Sequence, residues 1–234
     1  MSHAYTMSPA DIELSRFNMI EQQVRPWDVL DPAVLELLQQ VRREDFTPPA
    51  LRALAFVDTE VPLLTPHEEA LRLGQCMLAP RVEARSVQDL RLAPTDRVLE
   101  IGTGSGFSAA LMAHLAEHVL TLEIHAGLAE TARANLRAAG ISNVEVRHAD
   151  GAQGAAAHGP FDAILLSGSV AAVPQALLAQ LKPGGRLFAI AGSEPIMRAQ
   201  VITHAGDGRY ETATPWDAIV PRLLNFPEPS AFQF

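Results

Sequence analysis

Residues 98–107 read VLEIGTGSGF. A run of branched apolar residues, interrupted by the carboxylate Glu100, gives way to glycine at three alternate positions, Gly102, Gly104 and Gly106. Branched apolar residues favour a strand. A helix-periodic stretch, FSAALMAHLAEH, begins at Phe107. Strand, glycine-rich bend and helix start, in that order, create a place where a ligand can approach backbone N–H groups without Cβ atoms in the way. The helix end adds partial positive charge, suited to a carboxylate or phosphate. Such a bend at the carboxyl end of a buried strand is the ligand position of an open α/β sheet.

Outward from this stretch the alternation continues. Short apolar runs at RVLEI (97–101), VLTLEI (119–124), VEVRH (144–148), DAILL (162–166) and GRLFAIA (185–191) are predicted strands. The helical stretch from Phe107 separates the first pair, and AGLAETARANLRAAG (126–140), stopped by Gly140, separates the second. Alternating strands and helices imply right-handed crossovers and a parallel sheet covered on both faces. At the end of the chain AQVITHA (199–205), the turn GDGR, and YETATPWDAIVPRL (210–223) read as two strands joined tightly. The expected fold class is α/β: a Rossmann-like sheet of five parallel strands plus a terminal antiparallel hairpin.

The segment before this sheet has another texture. Ile12, Phe17, Ile20 and Val24 follow a helical spacing that ends at Arg25-Pro26. Asp31-Pro32 places a capping carboxylate ahead of a proline at the first helical position, and Val34, Leu35, Leu38 and Val41 form the apolar stripe. Residues 47–80 are rich in proline and predict a short helix with irregular, partly extended chain, and Arg81 to about Leu90 reads as helix again. The chain thus divides into a helical and irregular extension, residues 1–90, on the acceptor side, and a ligand-binding part, residues 91–234.

Composition narrows the function. Of 234 residues, 18 are basic and 27 acidic, a formal net charge of −9 that repels phosphate backbones and argues against DNA as a partner. No apolar run is long enough to span a bilayer, and the first residues lack a basic start and an apolar core of a leader, so a cytoplasmic location is expected. The lone Cys76 excludes an internal disulfide and fits that compartment.

The dinucleotide fingerprint G-x-G-x-x-G is not met, because Phe107 stands at its last glycine. Glu123, at the end of the second strand, is placed to accept hydrogen bonds from both ribose hydroxyls of an adenosine. Asp150, in HADG after the third strand, is placed to accept from the adenine amine, and Glu100 to hold an ammonium group. An adenosine joined to an amino acid is S-adenosylmethionine rather than NAD. Thr103, Ser105, Ile124 and Gly151, neighbours of these groups in the same loops, complete the expected cofactor contacts.

VLEIGTGSGF, NVEVRHADG, FDAILL and LKPGGRL resemble the successive motifs of class I S-adenosylmethionine-dependent methyltransferases. Upstream, VRREDFTPP, AFVDTEVPL and GQCMLAP resemble the amino-terminal blocks of protein-L-isoaspartate O-methyltransferases, and the resemblance covers about residues 17–195. It implies a seven-stranded sheet with an antiparallel last hairpin, and methylation of the misplaced carboxylate of isoaspartyl residues in damaged proteins or peptides. The product ester then collapses to a succinimide, which allows repair. A carboxylate is already ionised at pH 7, so positioning and removal of water supply much of the rate. Neither a catalytic triad nor a metal is expected.

The resemblance also implies that Gln75 and Met77 contact the cofactor, and that Cys76, Leu78 and Asp58 lie on the acceptor side. The family block reads G-Q-T-I-S-x-P. Here Cys76 stands at its threonine and Leu78 at the serine whose hydroxyl meets the substrate carboxylate. LTPHEEALR (64–72) adds acids just upstream. The substitution at Leu78 leaves two alternatives open: a small-molecule or RNA acceptor, or a non-catalytic cofactor-binding relative. No Asn/Asp-Pro-Pro-Tyr/Phe motif of base methylases is present. His114 and His118 have metal-ligand spacing but no third ligand nearby, and fit the carboxyl end of a helix more simply. Trp27 and Trp216 read as packing residues. Oligomeric state is not legible.

Overall fold

The computed structural model describes residues 7–228. In chain order, α1 (Pro9–Met19), α2 (Pro32–Gln40), β1 (Val61–Pro62), α3 (His67–Arg72), β2 (Cys76–Met77) and α4 (Pro80–Leu90) precede the main sheet. That sheet comprises β3 (Arg97–Ile101), β4 (His118–Glu123), β5 (Val144–His148), β6 (Phe161–Val170), β7 (Leu181–Ser193), β8 (Ile196–Gly206) and β9 (Arg209–Ala213). Helices α5 (Phe107–Ala113), α6 (Ala126–Ala138) and α7 (Gln175–Leu178) connect its parallel strands.

The strand order is β5-β4-β3-β6-β7-β8-β9. The first five are parallel, and β8 and β9 add antiparallel pairs. The order reverses at β3, which is where the glycine bend lies. Apolar residues alternate between two cores: Val98 packs on one face with α4, α5 and the amino-terminal helices, while Leu99 and Ile101 pack on the other with α7. Met19, Leu38 and Val61 share a core with Val98 and Phe107, so the extension and the sheet are built on common packing. Among the described residues no helix is long and apolar enough to cross a membrane.

Several local expectations need correction. Helix α1 starts on a Ser8–Asp11 capping box, and Ile12, Ile20 and Val24 face the core as expected, but Phe17 is exposed and Arg16 is buried instead. The cause is distant, because Arg16 pairs with Glu44 as well as with Glu13 at 2.7 Å. Helix α5 stops at Ala113, where the Asn143 amide donates to the Ala113 and Ala116 carbonyls. His114 caps the helix and His118 begins β4, so the two do not share a helix face. The second strand of the terminal hairpin ends at Ala213. Beyond it Pro215 and Pro221 lack the N–H a ladder needs. The chain instead runs back over the sheet, with isolated bridges from Asp217 to Arg198 and from Arg222 to Ser169.

Candidate functional site

The bend after β3 holds Gly102 at φ +96°, Gly104 at +53° and Gly106 at +87°, a region that L side chains rarely adopt. At Gly102 a Cβ would also stand 3.0 Å from Leu223. Gly151, after β5, is required for a different reason: a Cβ there would lie 2.4 Å from the Ile101 side chain. Gly151→Ala is therefore expected to cost about 1–3 kcal/mol by overpacking, read as a lowered thermal midpoint. An unchanged midpoint would show that this loop has room to move.

Around this bend the strand ends build a cleft. Its walls include Gln75, Cys76, Gly102, Gly104, Glu123, Ile124, Asp150 and Gly151, all expected from the sequence, together with Leu73, Gly74, His125, Ser167 and the tail residues Arg222, Leu223 and Leu224. Glu123 is 4% exposed; it accepts from the Gly104 N–H at 2.8 Å and the His125 N–H at 2.9 Å. A carboxylate has roughly four acceptor positions, so capacity remains for a ligand. Asp150 accepts from the Ala152 N–H at 2.9 Å and the Asn225 amide at 2.8 Å. Gln75 approaches the His125 ring at 3.4 Å, joining β2 to the end of β4.

The remaining expected cofactor contacts lie elsewhere. Met77 is a core residue, with the Thr47 hydroxyl 3.4 Å from its sulfur. The buried Thr103 hydroxyl bonds Thr121 at 2.6 Å, the Ser105 hydroxyl lies 3.4 Å from the Phe107 N–H, and Gly106 packs on Leu136. These hold the bend from behind.

Glu100 lies deeper than the cleft wall. It is fully buried and accepts from the Thr121 hydroxyl at 2.6 Å and the Ser167 hydroxyl at 2.8 Å. Burial pushes its pKa up to about 8 against those two hydrogen bonds, with the nearby Glu83 and Glu123 adding to the rise. At neutral pH it is mainly a neutral acid beneath the bend and has little charge to offer an ammonium group.

On the acceptor side, Cys76 lines the cleft, but burial, then Glu60 and Glu83, push its thiol up to about 12. It stays protonated and is no nucleophile. Leu78 is half-buried against the core, not on the cleft wall. Its carbonyl accepts from Arg43 at 2.6 Å and its N–H bonds Glu83, while Arg43 and Glu83 pair at 3.1 Å. That buried pair grips the Leu78 peptide from both sides. Asp58 is ion-paired with Arg81 on a separate cavity, where the Arg81 guanidinium stacks 4.4 Å over a 40% exposed Trp27. Trp27 is thus a surface platform, whereas Trp216 packs as expected, donating to Asp89 at 2.7 Å.

A second cavity of about 610 Å³ adjoins the cleft through Leu73, Gly74, Arg222 and Leu224. Glu60, Leu71, Arg72, Glu194, Met197 and Ile219 to Pro221 complete its walls. The acids Glu68 and Glu69 of the 64–72 stretch line neither space. Among the described residues, no three His, Cys, Asp or Glu side chains gather as a metal site would need.

Ser167 and the tail were not foreseen. Ser167 directly follows the apolar run 162–166, which is its local signal, and lies inside β6 where the pairing with β7 shifts register. The tail has none, because only the return of residues 215–224 over the sheet brings it here.

Residues 15–194 match the family described as protein-L-isoaspartate(D-aspartate) O-methyltransferase. A protein-L-isoaspartate O-methyltransferase of Methylorubrum extorquens is 38% identical over 198 residues, 85% of this chain and 83% of that protein. One from Koribacter versatilis is 37% identical over 198 residues, 85% of each chain. In fold, a putative protein-L-isoaspartate O-methyltransferase from Plasmodium falciparum, solved with S-adenosyl-L-homocysteine, superposes with a TM-score of 0.73 at 21% identity, over 88% of this chain and 96% of that one.

Proposed function

The chain belongs to the protein-L-isoaspartate O-methyltransferase family, and from that premise we propose how its cleft serves S-adenosylmethionine-dependent methylation of isoaspartyl carboxylates in proteins and peptides. When bound, S-adenosylmethionine supplies an electrophilic methyl group, which an ionised carboxylate accepts with no proton transfer. The chain therefore needs no general base, and its buried Cys76 thiol and largely neutral Glu100 are consistent with that.

The residues present fit the cofactor. Glu123 would hold the ribose hydroxyls and Asp150 the adenine end, with Gly102 and Gly104 leaving the backbone open between them. The observation that carries this reading is the Glu123 carboxylate, buried at the cleft wall and tied to the bend itself through the Gly104 N–H. Free space in the cleft is about 70 Å³, well below the ~300 Å³ of the smaller ligand pockets. The Leu223 and Leu224 side chains wall this space, so they would have to repack around the ligand, with the backbone still bonded to Ser169, and would exclude water from the reacting groups.

The direct test supplies methyl-labelled S-adenosylmethionine with an isoaspartyl peptide and with the same peptide in normal aspartyl linkage. Base-labile methyl ester is expected on the first and not on the second. Label on the isoaspartyl peptide no higher than in a blank without enzyme would overturn the proposal.

A further inference from the structure

The resemblance implies a serine hydroxyl at the acceptor carboxylate, but here that position is Leu78, which has no hydroxyl and lies off the cleft wall. We infer that Arg222 reads the acceptor carboxylate in its place, and that Glu228 covers this contact in the free protein. The inference rests on the acceptor class proposed above.

Four residues are common to the cofactor cleft and the adjoining cavity, and Arg222 is the charged one among them. An acceptor carboxylate must arrive at this junction to meet a methyl group held in the cleft. The other charged walls are unsuited: Glu60 and Glu194 repel a carboxylate, and Arg72 is 70% exposed beside Glu69.

Arg222 is also held rigidly. Its backbone bridges Ser169 of β6, with the Ser169 N–H on the Pro221 carbonyl at 2.8 Å and the Leu223 N–H on the Ser169 carbonyl at 2.9 Å. From its guanidinium, Nη1 donates to the Gly192 carbonyl at 2.9 Å and to the Ser169 hydroxyl at 3.4 Å, and Nη2 to the Ser193 hydroxyl at 3.3 Å. Nε lies 2.9 Å from the Glu228 carboxylate as an ion pair, with its N–H not aligned on that oxygen. A guanidinium carries five N–H donors in a fixed fork, so Nε–H and one Nη2 hydrogen remain. An Nε–H and Nη2–H edge is the one that grips a carboxylate with two parallel bonds. Glu228, whose side chain is 51% exposed, stands beside this edge. Half exposed and without an aligned bond, Glu228 is exchangeable for the acceptor's own carboxylate.

The test measures binding of an isoaspartyl peptide and of its α-carboxamide counterpart, by calorimetry with S-adenosylhomocysteine present, alongside ester formation. Wild type should prefer the carboxylate peptide at least tenfold. Arg222→Met should lose that preference while binding the carboxamide peptide as wild type does. Arg222→Lys, which keeps charge but not the fork, should fall between. Glu228→Gln should bind the carboxylate peptide severalfold more tightly, a gain that a merely structural Arg222 would not produce. If Arg222→Met does not fold, Arg222→Lys and Glu228→Gln decide. A wild type indifferent to the carboxamide, or an Arg222→Met or Arg222→Lys protein with undiminished preference, or a Glu228→Gln protein without gain, overturns the inference. Ester formed by wild type alongside any of these would leave the activity standing. Carboxylate preference without ester would do the reverse.

Discussion

Glu123→Ala is expected to weaken S-adenosylmethionine binding by about a hundredfold or more. The native carboxylate would accept from two ribose hydroxyls, and hydrogen bonds to a charged group are worth roughly 1.5–3 kcal/mol each, where 1.4 kcal/mol is about tenfold in affinity. The same substitution leaves the Gly104 and His125 N–H groups without their acceptor, so the bend should also loosen and the thermal midpoint fall. Glu123→Gln separates the two effects. It keeps one oxygen as an acceptor and the shape of the side chain, so the bend should hold better than in the alanine variant while affinity still falls through loss of charge. Calorimetric titration of each folded variant with S-adenosylhomocysteine checks this. An alanine variant with wild-type affinity would place the ribose elsewhere.

What the sequence reveals about this site divides along the range of the interactions. Strand, bend and helix at 97–113 are local patterns, and Glu123 and Asp150 are found because strand ends in a parallel sheet converge on one edge. Alternation even places Glu100 on the same face as Val98. It does not say what meets Glu100 there, because Thr121 comes from β4 and Ser167 from β6. Arg16 illustrates the same limit: helical periodicity favours burying Phe17, and an ion pair to a residue of another segment reverses the choice. Pro215 and Pro221 announce that the last strand must break, yet where the freed chain goes is decided by Ser169 and Gly102, far away in sequence. The cleft at the strand ends is therefore mostly local and readable, whereas the tail that walls it emerges only from the tertiary fold.

Glu100 carries the second large effect, on stability against pH. Its folded pKa is raised from an ordinary 4.5 to about 8, chiefly by burial. Below about pH 4.5 the carboxyl is protonated in folded and unfolded chains alike, and its ionisation costs the fold nothing. As pH rises from there to about 8, the unfolded chain gives up the proton and the folded protein retains it. The unfolded state then binds fewer protons, so stability falls with rising pH across this window and levels off above it. At 1.36 kcal/mol per pKa unit the full loss is on the order of 5 kcal/mol. Glu100→Gln removes the titration and keeps a carbonyl oxygen for one of the two hydroxyls. Urea denaturation should find the variant increasingly more stable than wild type between pH 5 and pH 8.5, with little advantage, or a deficit from the altered hydrogen bonding, at the acid end. A difference that stays constant over that range would mean that Glu100 is ionised in the fold at neutral pH, and would restore it as a charged partner for the cofactor's ammonium group. A difference that grows makes it a neutral clasp between β3, β4 and β6, which leaves the recognition of that ammonium to groups other than the acid preceding the glycines.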